Sequence, residues 1–192
     1  EHPYVGRGGM KLEKAIRTFE LDLSGVVMLD IGASTGGFTD CALQHGAAVV
    51  YAIDVGYNQL AWSLRNDPRV IVMERTNFRY VTKEQLQGPQ PSVATIDVSF
   101  ISLEKILPPL RPLLPIGAHV IALIKPQFEA GKEHVGKAGV VRDPEVHKRV
   151  LHRICTFAAD SGFRCDGLTF SPIQGGEGNT EFLVCWTLRE SP

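Results

Sequence analysis

Seven short apolar runs, most of them bounded by Gly, Pro or Asp, alternate along the chain with segments whose apolar residues recur at helical spacing. Leu12, Ala15, Ile16 and Phe19 share one helical face while Lys14 and Arg17 lie off it, which predicts an amphipathic helix over 10–21. The apolar runs predict strands over 26–31, 48–53, 70–73, 93–96, 119–124, 164–170 and 181–188. Between them the spacing predicts helices over 38–45, 59–65 and 103–107. A longer helix runs from Asp143-Pro144, a cap followed by a first-turn proline, to about residue 160, with Val146, Val150, Ile154 and Phe157 along one face. Strands that alternate with helices imply an α/β fold, a mostly parallel sheet flanked by helices.

Composition narrows this to one domain of ordinary size: 192 residues, 44% of them hydrophobic, are enough to build a single core. The apolar runs are strand-sized and interrupted, so neither a membrane span nor a signal peptide is expected, and the default location is cytoplasmic. Cys41, Cys155, Cys165 and Cys185 form no C-x-x-C pair and sit in apolar patterns, so they are expected to be buried, reduced thiols, with no metal site. A formal charge of −1 gives no global signal for nucleic acid. Locally, Arg7, Lys11, Lys14 and Arg17 outweigh Glu13 and could guide phosphate. The glycine-bearing loop 128–142 is too long for a simple connection and reads as a lid.

The candidate chemistry starts in VVMLDIGASTGGFTD, where an apolar strand ends in Asp30 and opens onto a small-residue turn before a helix. Such a turn lets backbone approach a nucleotide-type ligand. The spacing D-x-G-x-x-x-G-G differs from the G-x-G-x-x-G of dinucleotide binders, which favours S-adenosyl-L-methionine, an adenosine with a charged amino acid and no phosphate. Gly32, Ala33, Ser34, Thr35, Gly36, Gly37 and Phe38 would form the turn around its methionine part, with Asp30 near the ammonium. Asp54, closing the next apolar run, would accept the ribose hydroxyls; Asn77 would read the adenine edge between Val55 and Phe78. Ligands of open sheets gather at the carboxyl ends of strands, so Asp97 and Lys125, which close VATID and VIALIK, are candidates as well. Read more plainly, Asp97 caps the helix near Ser102 and Lys125 is a strand-end lysine reaching for water. Lys11 sits at a helix N-terminus, where its charge is locally unfavourable, and Glu181 opens the last strand.

In this order Lys11, Asp97, Lys125 and Glu181 resemble the Lys-Asp-Lys-Glu tetrad of FtsJ-like ribose 2′-O-methyltransferases. The stretches GRGGMKLEKAI, LDIGASTGGFTD, VYAIDVGYNQLAWSLR, ERTNFR, DVSFISL, IKPQFE and GKAGVVRDP make the chain similar, more narrowly, to the hemolysin A (TlyA) branch. The resemblance implies a Rossmann-like methyltransferase fold with its last strand antiparallel and S-adenosyl-L-methionine as donor. The implied acceptor is a ribose 2′-hydroxyl, typically of cytidine, in ribosomal RNA or ribosomal subunits. It also implies a preceding RNA-binding domain, so that 1–9 would be a linker remnant and 10–192 the methyltransferase domain. Gly6 stands where the family commonly has Ser. The chemistry fits: in-line transfer to an alcohol needs alignment and a base, for which Lys125 is the candidate, with Asp97 orienting it and Glu181 holding Lys11 or the ribose. Two other readings compete, an NAD-type oxidoreductase on the same fold and a membrane-active, hemolysin-like protein without a catalytic role. The glycine spacing argues against the first. The lack of a long apolar or strongly amphipathic basic segment argues against the second, and no stable membrane association is expected.

Overall fold

The computed structural model describes residues 2–189. Seven strands, β1 (Val27–Ile31), β2 (Val49–Ile53), β3 (Val70–Met73), β4 (Val93–Ile96), β5 (His119–Ile124), β6 (Phe163–Phe170) and β7 (Phe182–Leu188), form one sheet in the order β3-β2-β1-β4-β5-β7-β6. Neighbours from β3 to β5 pair in parallel, whereas β7 runs antiparallel to both β5 and β6. The strand order reverses between β1 and β4, and that switch point opens a crevice at the carboxyl ends of the strands.

Side-chain alternation sorts the strands onto two cores. Leu29, Ile31, Ala94, Ile96, Ala122, Ile124 and Trp186 face α4 (Leu107–Leu110) and α6 (Pro144–Asp160). Met28, Ile121, Leu123, Leu183 and Cys185 face α1 (Gly8–Thr18) and α2 (Gly37–Gln44). Because both faces are covered, the inner strands read as unbroken apolar runs. The same parity places the residues just beyond the strands: Lys125 and Glu181 continue the faces of Leu123 and Leu183, toward α1.

Several elements differ from the expected ones for local reasons. The helix at 59–65 shrinks to α3 (Trp62–Arg65), since residues 54–61 leave helical geometry to wrap the crevice and Asn58 adopts φ +59°. The helix at 103–107 is a 3₁₀ turn, Leu103–Lys105, capped by the Ser102 side chain, and α4 follows it with Pro108 and Pro109 in its first turn. Ser102 supplies that cap, so Asp97 is free for other work. The end of α5 (Pro126–Glu129) overlaps the start of loop 128–142, which also contains two 3₁₀ turns. The long helix begins as expected, with Asp143 Oδ1 accepting from Glu145 N at 2.9 Å. Cys41 and Cys185 are buried, but Cys155, on α6, is half-buried, and Cys165 is exposed because it lies on β6, an edge strand. No helix among the described residues is long and apolar enough to cross a membrane.

Candidate active site

The ends of β4, β5 and β7 and the helix α1 converge on the crevice. Asp97, one residue past β4, receives Lys125 Nζ on Oδ1 at 2.6 Å and Lys11 Nζ on Oδ2 at 3.2 Å. Lys11 Nζ also lies 3.8 Å from Glu181 Oε1, and Glu181, only 3% exposed, accepts from Gln127 Nε2 on its other oxygen at 2.7 Å. Lys125 Nζ donates to Ser99 Oγ as well, at 3.3 Å. Asp97 therefore lies between the two lysines and offsets their mutual repulsion. Burial alone would push the Asp97 carboxyl up, but attraction by Lys125 and then Lys11, with their hydrogen bonds, holds it below the usual carboxylate range.

The tetrad stands at the seam of two cavities that share Ser99 and Phe100. One, of about 480 Å³, lies over the switch point and is lined by Gly32, Ser34, Asp54, Asn77, Phe78 and Asp97. The other, of about 540 Å³, is lined by Lys11, Lys125, Gln127, Phe128 and Glu181 and by two outer loops.

In the first cavity the expected residues divide. Asp54 accepts from Gly56 N on Oδ2 at 3.1 Å and from Ser34 N at 3.4 Å, which aims its carboxylate across the opening. Gly32 has φ +86°, and a Cβ there would lie 2.1 Å from the Asp97 carbonyl oxygen, so β1 and β4 meet through this residue. Asn77 lines the cavity, but its Oδ1 accepts from Arg79 N at 3.1 Å, leaving its amide N–H groups to face a ligand. Val55 lines the cavity and is largely exposed.

Ala33, Thr35, Gly36, Gly37 and Phe38 do not line this cavity; they build the turn from behind. Gly36 seats Leu60 and Leu64, Gly37 packs on the backbone of Gly9, and Phe38 is buried beside Gly8. Asp30 is a correction of a different kind. It shares the parity of Met28, so it points toward α2 rather than into the crevice, and accepts from Thr39 Oγ1 at 2.6 Å and Thr95 Oγ1 at 3.4 Å. Burial pushes its carboxyl up to about 7, with Asp97 adding repulsion against the Thr39 and Thr95 hydrogen bonds. An acid whose folded pKa lies above its ordinary 3.8 costs nothing below that pH and costs stability increasingly as pH climbs toward 7. Asp30→Asn is therefore expected to raise the unfolding free energy by about 2 kcal/mol at pH 8, a gain that shrinks toward pH 4.5 in urea titrations.

Sequence reasoning assigned no role to Gly56 and Gln59 at the first cavity, or to Ser99, Phe100, Gln127, Phe128 and Asn179 at the second. The D-V-G after β2 and the S-F after Asp97 were visible signals, since each extends a strand-end motif by two or three residues. Phe100 is 89% exposed at φ +64°, with its ring 4.7 Å from that of Phe128. A bulky residue is uncommon in the left-handed region and carries backbone strain there. The expected basic patch is largely spent internally: Lys11 belongs to the tetrad, Lys14 donates to the Phe170 carbonyl and Arg17 pairs with Glu13 at 2.8 Å. Arg7 is the member that reaches the second cavity besides Lys11.

A parallel sheet with one antiparallel strand, a glycine turn at the switch point and an acid after the second strand define a Rossmann-like domain of the S-adenosylmethionine-dependent methyltransferase class. The chain belongs to the FtsJ-like methyltransferase family, whose pattern matches residues 4–188. It is 62% identical over 181 residues to YqxC of Bacillus subtilis, covering 94% of this chain and 64% of that protein. It is 46% identical over 184 residues to the 16S/23S rRNA (cytidine-2′-O)-methyltransferase TlyA of Mycobacterium tuberculosis, covering 96% and 68%. Among solved structures, a proposed hemolysin from Streptococcus thermophilus superposes with a TM-score of 0.97 at 54% identity, over 100% of this chain and 70% of the other.

Proposed function

We propose that this domain transfers a methyl group from S-adenosyl-L-methionine to a ribose 2′-hydroxyl of ribosomal RNA, with cytidine as the acceptor nucleoside. The observation that carries the reading is the placement of Lys11, Asp97, Lys125 and Glu181 between a cavity suited to the donor and one suited to a nucleotide. The activity for which the mycobacterial relative is named supports the acceptor.

The residues of the first cavity suit the donor: the close approach allowed by Gly32 admits an amino-acid moiety, the Asp54 carboxylate can take two ribose hydroxyls, and Phe78 offers an apolar wall. When bound, S-adenosyl-L-methionine supplies the electrophilic methyl carbon. Lys125 Nζ is the group placed to accept the proton leaving the 2′-hydroxyl, so that the oxygen becomes nucleophilic as it attacks. Asp97 fixes the position of Lys125 and brings negative charge to the donor side of the seam. Lys11 and Glu181 orient the ribose from the opposite wall, and the Phe100–Phe128 pair presents an aromatic surface on which an unstacked base can lie. Arg7 provides charge for an adjacent phosphate.

Calorimetric titration of the chain with S-adenosyl-L-methionine, beside NAD and beside Asp54→Ala, tests the donor. Losing charge-assisted bonds to two hydroxyls should raise Kd about 50-fold in Asp54→Ala, and NAD should not bind. Transfer of labelled methyl to purified ribosomal subunits then tests the acceptor. NAD binding that depends on Asp54 would favour an oxidoreductase instead.

A further inference from the structure

The outer wall of the acceptor cavity comes from two irregular loops, 131–142 through Ala138 and Gly139, and 172–180 through Gly175, Gly176 and Glu177. Each contains a non-glycine residue in the left-handed region, Ala138 at φ +61° and Glu177 at φ +59°. Such backbone persists when its surroundings over-determine it. Within each loop a few backbone bonds act, Gly136 N to Val140 O at 2.9 Å in one and Gly175 N to Asn179 O at 2.8 Å in the other.

Across the gap, the fastening is made by one amide. Asn179, 3% exposed, accepts from Val141 N on Oδ1 at 3.0 Å, and its Nδ2 donates to Gly139 O at 2.9 Å and to Gly176 O at 2.9 Å. An acceptor and two donors are all engaged, and the amide is the side-chain group that offers that set at this length. Two residues further on stands Glu181, so whatever sets the loop spacing also sets the approach to the tetrad.

We propose that Asn179 is a positioning residue for the acceptor: its amide clasps loop 131–142 to loop 172–180 and fixes the width of the RNA cavity beside Glu181, without contributing to donor binding. The acceptor part of this inference rests on the function proposed above; the clasp itself does not. Gly139 and Val141, held by one side chain, move with the glycine loop as a unit. The 131–139 segment, with exposed Lys132 and Lys137, is then the part whose accessibility reports the state of the clasp.

Asn179→Asp is the sharper test, since it keeps volume and the bond from Val141 N but places an acceptor against the Gly139 and Gly176 carbonyls; Asn179→Ala removes all three bonds. Trypsin cleavage at Lys132 and Lys137 is expected to accelerate about tenfold in both variants, a readout that needs no activity. Calorimetric Kd for S-adenosyl-L-methionine should stay within about twofold of the parent, while KM for ribosomal subunits rises about tenfold. A donor Kd that rises in step with the acceptor KM would overturn the proposal by making Asn179 a general support of the fold, and so would unchanged cleavage in Asn179→Asp. Should Asn179→Ala not fold, the aspartate variant decides alone. If the unmutated chain transfers no methyl, the proposed reaction fails, and the clasp is still judged by cleavage and donor affinity, either of which can overturn it.

Discussion

Lys125→Ala is expected to slow methyl transfer about 10³-fold or more in single-turnover assays while leaving donor Kd within about twofold, because a positioned base contributes about 10²–10⁴ in rate. Two losses combine. The acceptor hydroxyl loses the side chain placed to take its proton, and Asp97 loses the nearer of its two lysine partners, at 2.6 Å, and is left with Lys11 at 3.2 Å. Lys125→Arg is expected to fail almost as badly, since a guanidinium does not deprotonate and its planar fork does not fit a pocket shaped around a point charge between Asp97 and Ser99. Transfer by Lys125→Ala at the parental rate would remove Lys125 from the role of base.

Gly32→Ala is expected to cost about 4 kcal/mol of stability, from left-handed backbone strain and overpacking together, and to abolish measurable donor binding. The new Cβ would lie 2.1 Å from the Asp97 carbonyl oxygen and 2.9 Å from its carbon, both backbone atoms that cannot rotate aside. The ends of β1 and β4 must part, and Asp97 leaves the lysines it joins. Gly25→Ala separates the two causes: Gly25 has φ +73° but nothing within 4 Å of a built Cβ, so backbone strain acts alone there at about 1 kcal/mol. Urea unfolding of both variants checks the difference, and equal midpoints would show that the close approach at Gly32 is relaxed without cost.

The sheet was legible because each strand is a short apolar run that a polar residue or turn interrupts, and the strand-end rule brought Asp54, Asp97 and Lys125 forward. Asp30 shows where that rule stops. In a strand covered on both faces the hydrophobic pattern carries no parity, so the sequence shows that an acid closes β1 but not that it turns toward Thr39 rather than the crevice. Lys11 and Glu181 stood out through the family resemblance more than through their own neighbours. Lys11 is one of several cations on α1, and what distinguishes it from Lys14 is the element it faces. Phe100, Gln127 and Asn179 lie at turns and strand margins, where partners distant in sequence decide the conformation and no periodicity records them. The shortened α3 has the same origin: helical spacing continues through 59–61, but the chain there is committed to the rim of the first cavity.

β7 follows β6 in the chain yet lies between it and β5. As the polypeptide leaves the ribosome, the five parallel strands can assemble while β6 still has no neighbour in the sheet, and the open flank of β5 waits for residues 182–188. Insertion of that strand closes the sheet and in the same motion brings Glu181 up to Lys11. A partly synthesised chain can form the first cavity but cannot complete the four-residue constellation. The order of strands thus makes the four-residue constellation depend on β7, the strand synthesised after the other six, because Glu181 is carried to Lys11 by the strand that fills the gap between β5 and β6.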